Sequence, residues 1–279
     1  MSLRILNASA RDGATWVSRS FAVFLKKPLA FTALFALFLF AAMLLLMLPY
    51  LGPVLLLMAL PLLGLGFMIA ARSALAAGPV HVGQLIEPLR GGNPTAIERR
   101  TQLLKLCGLY ALATALVMLA SDALDGGAFD KLQVLLASTR DTAQQKQLDE
   151  LLAQDGLMQG LLLRVGGTAL LSIPFWHAPP LVWWQGQGIA QSLFSSTVAC
   201  WRNRGAFLVY GLAWAATVLS FAVVAGGLFA LLGAPQLATL AAVPAGLMFS
   251  TAFYVSLLFT YEGCFGSAET QPETGPNLE

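Results

Sequence analysis

Two side chains in this sequence have the type and setting to do chemistry away from water. His177 stands in "SIPFWHAPPLVWWQGQG", next to Trp176 and just ahead of the pair Pro179–Pro180. An imidazole can donate, accept or carry a proton near neutral pH. The prolines lack backbone N–H groups, so a helix running through them kinks or breaks and leaves carbonyls free. A broken helix with exposed carbonyls, His177 and Trp176 beside it could hold a solute or a proton. The other reading is a kinked helix end, with His177 satisfied by a carbonyl or by interfacial water. Arg164 lies earlier in the same apolar run. It could face the bundle and pair with Asp122 or Asp155, or snorkel to water along its own stem.

No other chemistry stands out. The sequence has no GxSxG, no HExxH and no phosphate-binding loop, and no acidic pair falls within an apolar run. Cys107, Cys200 and Cys264 have neither CxxC nor ligand spacing, so no disulfide, metal or cofactor is expected. The reading is therefore of a protein that is not an enzyme.

The elements that must position these residues are membrane helices. Of the 279 residues, 57% are hydrophobic and 11% charged. A soluble domain carries about 25% charged residues. The net charge of +2 is too small to argue for nucleic acid. Six apolar stretches are long enough to cross a bilayer: about 29–48, 54–77, 103–120, 161–184, 206–232 and 237–261. No cleavable signal is evident ahead of the first, which reads as a retained span. The domain division is 1–28, a cytoplasmic segment; 29–262, the six-span bundle; and 263–279, an acidic tail expected to be disordered.

Basic residues set the expected orientation. Arg4, Arg11, Arg19, Lys26 and Lys27 precede the first span. Arg72, Arg90, Arg99, Arg100 and Lys105 flank the second connection, and Arg202 and Arg204 the fourth. Six spans place these twelve of the sixteen Lys and Arg on one side. The third connection, 121–158, holds seven acidic residues from Asp122 to Asp155. Both termini are thus expected in the cytoplasm, and 121–158 in the periplasm. That insert reads as two short helices, broken at Thr139–Asp141 and stopped at Gly156.

Short amphipathic stretches precede the odd-numbered spans. Val17, Phe21, Phe24 and Leu25 form one face, Val82, Leu85, Ile86 and Leu89 a second, and Ile189, Leu193, Phe194 and Trp201 a third. Each ends in basic residues: Lys26 and Lys27, Arg90, then Arg202 and Arg204. Such helices lie in the headgroup plane of an anionic leaflet. Trp183 and Trp184 are placed as interface anchors at the end of span four. The chain then reads as an all-α membrane protein of three hairpins, each preceded by a cytoplasmic interfacial helix. Independent placing of basic residues before spans accounts for the pattern equally well. Small residues at a spacing of four (Gly66, Ala70, Ala74 and Ala242, Gly246, Ser250) mark helix faces expected inside the bundle.

The run "FWHAPPLVWWQGQGIAQSLFSSTVACWRNRGAFLVYGL", with "WVSRSFAVFLKKPLAF" and "PVHVGQLIEPLR", resembles a family of proteobacterial polytopic inner-membrane proteins of unknown function. The resemblance covers nearly the whole chain and implies a bacterial inner-membrane location without implying an activity. Two functional expectations follow. One is a protein that organises lipid, anionic phospholipid above all, or binds a membrane partner or a second copy of itself. The other is a small transporter or channel with a site near the kinked fourth span.

Overall fold

The computed structural model describes residues 3–137, 142–234 and 236–267. It is helical almost throughout. After a short strand β1 (Leu3–Ile5) come α1 (Ala10–Phe24), α2 (Pro28–Leu46) and α3 (Leu51–Leu75). Then follow α4 (Pro94–Asp125), α5 (Ala128–Ala137), α6 (Thr142–Leu152) and α7 (Asp155–Phe175). The chain ends in α8 (Ala178–Gln185), α9 (Ile189–Arg202), α10 (Arg204–Leu231), α11 (Gln236–Cys264) and β2 (Phe265–Ser267). Six helical segments among the described residues are long and apolar enough to cross a membrane: α2, α3, α4, α7 with α8, α10 and α11.

Local chemistry sets their starts. Proline opens α2 at Pro28 and α4 at Pro94, where a missing N–H costs nothing. Asn93 caps α4, its side chain accepting from Ala96 N–H at 2.6 Å. The third span therefore begins well before the apolar run at Leu103, in a polar double turn carrying Glu98, Arg99 and Arg100. At the far end α4 stops at Gly126, which takes the left-handed conformation (φ 61°).

The helices differ in what they bury. Half of the apolar window of α3 is enclosed, against 6% of that of α10. So α3 is central, while α10 turns leucines such as Leu208, Leu219 and Leu231 outward. Lipid tails are as apolar as those side chains, so outward leucine is the expected surface and close packing holds the helices together. The main core joins Phe31, Leu34 and Phe35 of α2 to Phe67 and Met68 of α3 and Val255, Leu258 and Phe259 of α11. A second core joins Leu65 of α3, Leu103 and Leu106 of α4, and Val182 of α8.

Several expectations change. The apolar face of α1 does not lie free on the bilayer: Trp16, Val17, Val23 and Phe24 are buried in the main core. Gly13 makes this possible. A Cβ there would sit 2.1 Å from the Ala206 carbonyl oxygen of α10, so only glycine allows the crossing. The second amphipathic stretch is not a helix but two single 3₁₀ turns, Val82–Gln84 and Glu87–Leu89; Pro88 interrupts any longer one. In α9, the small face Ser192, Ser196 and Ala199 is buried, while Phe194 and Trp201 are exposed. One of the two small-residue stripes is internal: Gly66, Ala70 and Ala74 are buried. Ala242 and Gly246 face outward instead, Gly246 beside α2.

The insert forms α5 and α6; its expected break at Thr139–Asp141 lies outside the described residues. Gly156 is no stop but falls in the first turn of α7. Of the expected disordered tail, residues 263–267 are ordered. They finish α11 and form β2, which pairs antiparallel with β1, Arg4 opposite Gly266.

Candidate functional site

The fourth span is broken where the prolines demand it. Pro179 and Pro180 sit in the first turn of α8, so neither can donate to the carbonyls of Phe175 and Trp176. The preceding bond, from His177 N–H to the Ile173 carbonyl, is replaced rather than lost. Ser196 of α9 inserts its hydroxyl, donating to Ile173 O at 2.9 Å and accepting from His177 N–H at 3.0 Å. A side chain inserted into the helical ladder is a recognised cause of a kink. Cys200, one turn on, also points at the Ile173 carbonyl (3.7 Å). Burial pushes its thiol up to about 12, against a smaller opposing pull from Ser196.

His177 lies behind this break, 1% exposed, inside a box of rings: Phe265 at 5.3 Å, Phe207 at 5.9 Å and Tyr261 at 6.1 Å. Among the described residues, no protein group hydrogen-bonds to either ring nitrogen. Aromatic packing surrounds the imidazole on three sides. Trp176 faces the other way. Its indole N–H donates to Thr260 Oγ1 at 3.1 Å, and its ring lies edge-on to Phe207, Tyr210 and Phe253. It separates two apolar cavities. One, of about 180 Å³, is lined by Pro61, Tyr110, Phe175, Pro179 and Tyr254. The other, about 620 Å³, lies between α10 and α11.

Arg164 belongs to a different place. Near the middle of α7, it is roughly 20 Å from His177 by helical rise. It is bundle-facing rather than snorkelling, with its side chain 16% exposed. It pairs with Asp122, as one of the two expected partners, and approaches Asp125 Oδ2 at 3.8 Å. Its guanidinium lies 4.0 Å from the centroid of Phe129. Asp155 stays exposed at the start of α7. Gly160 lets α7 approach α4 here, since a Cβ would meet the Asp125 side chain at 2.6 Å. Ser121 Oγ donates to the Gly160 carbonyl across the same crossing. The cluster ties α4, α5 and α7 together.

The basic and aromatic residues gather at the opposite end from Arg164. Arg72 of α3 stacks over Trp184 of α8 at 3.7 Å and lies 4.0 Å from Glu262 of α11. Arg99 of α4 donates to the Trp183 carbonyl at 3.0 Å. Lys27 reaches the Gly78 carbonyl; Lys26 and Arg90 are exposed. Arg19 lies over Phe259, and Arg204 over Trp201. Arg202 donates to Asn7. These contacts link the ends of α3, α8, α9 and α11 to the starts of α2, α4 and α10, so they mark one face of the bundle. Ion–ring pairs of this kind hold a guanidinium flat at a boundary between apolar and wet surroundings.

Asn203 is the residue that sequence reasoning passed over. Only 2% exposed, it accepts from Ala8 N–H at 2.6 Å and donates to Leu6 O (3.1 Å) and Ala199 O (3.0 Å). It clamps the N-terminal strand against the joint of α9 and α10. The spacing Ser192, Ser196, Ala199, Asn203 follows one helical face, which was the available signal. Among the described residues, no group of three or more His, Cys, Asp or Glu could hold a metal ion.

Six apolar helices around an aromatic interior, with one basic end, define a multi-pass α-helical membrane protein. A probable inner membrane protein of Burkholderia thailandensis is 34% identical over 275 residues, covering 99% of this chain and 98% of that one. The chain belongs to the family of that inner membrane protein, and its place is the inner membrane. No family profile matches the chain. No solved structure matches it.

Proposed function

We propose that the protein works without catalysis, holding phospholipid, and anionic phospholipid in particular, at its basic end. In this reading that end faces the cytoplasm, with the termini, and the insert around α5 and α6 faces the periplasm. One observation carries it: Arg19, Arg72 and Arg204 each lie over an aromatic ring at the same face of the bundle, among the exposed Lys26 and Arg90. An anionic leaflet attracts such residues by about 1 kcal/mol each near the surface. The exposed Phe194 and Trp201 of α9 add an apolar face at the same level.

The test is thermal unfolding of the purified protein in detergent, with added phosphatidylglycerol or phosphatidylcholine. Phosphatidylglycerol is expected to raise the midpoint by several degrees more than phosphatidylcholine, and added salt to shrink the difference. Equal shifts for the two lipids would remove the reading. A second reading, a small transporter, is favoured by the break at His177 and the cavity beside Pro179. Solute flux into proteoliposomes checks it, and its mostly apolar lining leads to an apolar solute rather than an ion.

A further inference from the structure

The smaller of the two cavities beside Trp176 has a polar feature that the broken helix does not use. It lies between α3, α4, α7 with α8, and α11, and measures about 180 Å³. Its walls are mostly apolar, Leu60, Pro61, Leu65 and Leu257 among them. No charged residue lines it among the described residues. Two tyrosines do, Tyr110 of α4 and Tyr254 of α11.

Other rings hold the two phenol rings, but nothing holds their hydroxyls. Tyr110 packs edge-on against Phe175 at 5.2 Å, and Tyr254 stacks on Phe67 at 5.4 Å. Among the described residues, no protein group hydrogen-bonds to either hydroxyl. Unlike the ring nitrogens of His177, neither oxygen is sealed off, and both keep accessible surface. The other polar side chains on these walls are already committed. Ser172 Oγ donates to the Ala169 carbonyl at 2.6 Å, and the Trp176 indole N–H donates to Thr260. Both tyrosines lie within spans, where bulk water does not serve a hydroxyl. A donor left unmet in apolar surroundings is costly.

These features describe an occupant. It is uncharged, because the walls carry no charge to answer one. It enters as a compact ring, because an apolar cavity of about 150 Å³ already holds a benzene molecule. It carries two hydrogen-bond acceptors, because two phenol protons are the side-chain donors that these walls leave without a partner. A flat, neutral ring with two carbonyl oxygens meets all three demands.

We infer that this cavity binds the ring of a membrane quinone, its carbonyl oxygens accepting from Tyr110 and Tyr254 and its ring lying among Phe175, Trp176 and Phe253. The larger cavity shares Trp176, Phe253 and Tyr254 with it, and is also lined by Gly211, Ala215 and Val218, which are exposed on α10. A chain attached to the ring thus has apolar space next to it. The inference deepens the second reading above by naming a ligand class for its cavity, and it asks for binding alone, without transport or electron transfer.

The experiment follows a radiolabelled benzoquinone with a decyl chain on the immobilised full chain in detergent, by scintillation proximity. Unlabelled quinone, the matching hydroquinone and decylbenzene compete with it. The quinone is expected to bind more than about tenfold more tightly than decylbenzene. Tyr110→Phe and Tyr254→Phe keep each ring and its packing while removing a hydroxyl that no protein group uses. Each is expected to unfold at the wild-type temperature, to weaken the quinone about fivefold, and to leave decylbenzene unchanged. A quinone that competes no better than decylbenzene, or a preference that survives both substitutions, overturns the site. Tighter binding of the hydroquinone overturns the choice of a quinone. A lower unfolding temperature in either variant without ligand means that the hydroxyl has a structural partner, and overturns the inference at its premise. Flux is measured apart in proteoliposomes: quinone binding without flux removes the second reading and leaves this site, and flux of an apolar solute through a chain that fails the quinone test does the reverse.

Discussion

His177 and Ser196 sit on either side of one backbone break, and their roles divide cleanly. The serine hydroxyl serves two backbone groups that the kink would otherwise strand, whereas the imidazole serves none. Opposite outcomes are therefore expected. Ser196→Ala strands a buried N–H and a buried carbonyl, and should cost about 1–3 kcal/mol in thermal or denaturant unfolding. His177→Phe exchanges a ring whose nitrogens meet no protein group among the described residues for an apolar one in a box already built from Phe207, Tyr261 and Phe265. It should leave stability unchanged or raise it. A clear loss of stability or activity in His177→Phe would mean that the imidazole has a polar task. The prolines made the break legible in the sequence. The aromatic box was not, because Phe265 reaches His177 from a segment whose composition reads as tail, and Phe207 from another helix.

At the scale of elements, what decides each position is which face the neighbours leave open. The periodicity of α1 correctly marks an apolar face, but periodicity carries no information about the solvent that face meets. Gly13 is the residue that converts a surface helix into a core one, through its contact with the Ala206 carbonyl. Gly13→Val is accordingly expected to push α1 off α10 and to cost about 1–3 kcal/mol in detergent unfolding, against near-neutrality for the exposed Ser18→Val. A neutral Gly13→Val would mean that α1 is not seated there. The six apolar runs were legible because lipid demands length and apolarity and little else. Helix starts were less so: α4 begins at the Asn93–Pro94 cap, a signal carried by two residues, which the search for apolar runs overlooks. The second amphipathic stretch failed as a helix at Pro88, and Gly246 faces lipid because small residues permit close packing without enforcing it.

For the whole molecule, the governing feature is asymmetry between the two ends. One end holds arginines over Phe259, Trp184 and Trp201; the other holds the Arg164 cluster, in which one guanidinium faces Asp122 and Asp125. Charge counts gave this sorting from sequence alone, since basic residues cluster by connection. The pairing of Arg164 with Asp125, and the clamp of Asn203 on Leu6 and Ala8, came only with the fold. A membrane potential and an anionic inner leaflet both act on such a molecule in one direction, and this supports the proposed threading with the basic end in the cytoplasm. The most direct check is cysteine labelling in intact cells, on a background with Cys107, Cys200 and Cys264 replaced by alanine. Val134→Cys, exposed on α5, is expected to react with a membrane-impermeant maleimide in the periplasm, and Ser18→Cys, exposed on α1, only after the inner membrane is opened. Labelling of Ser18→Cys in intact cells, or protection of Val134→Cys, would contradict the account.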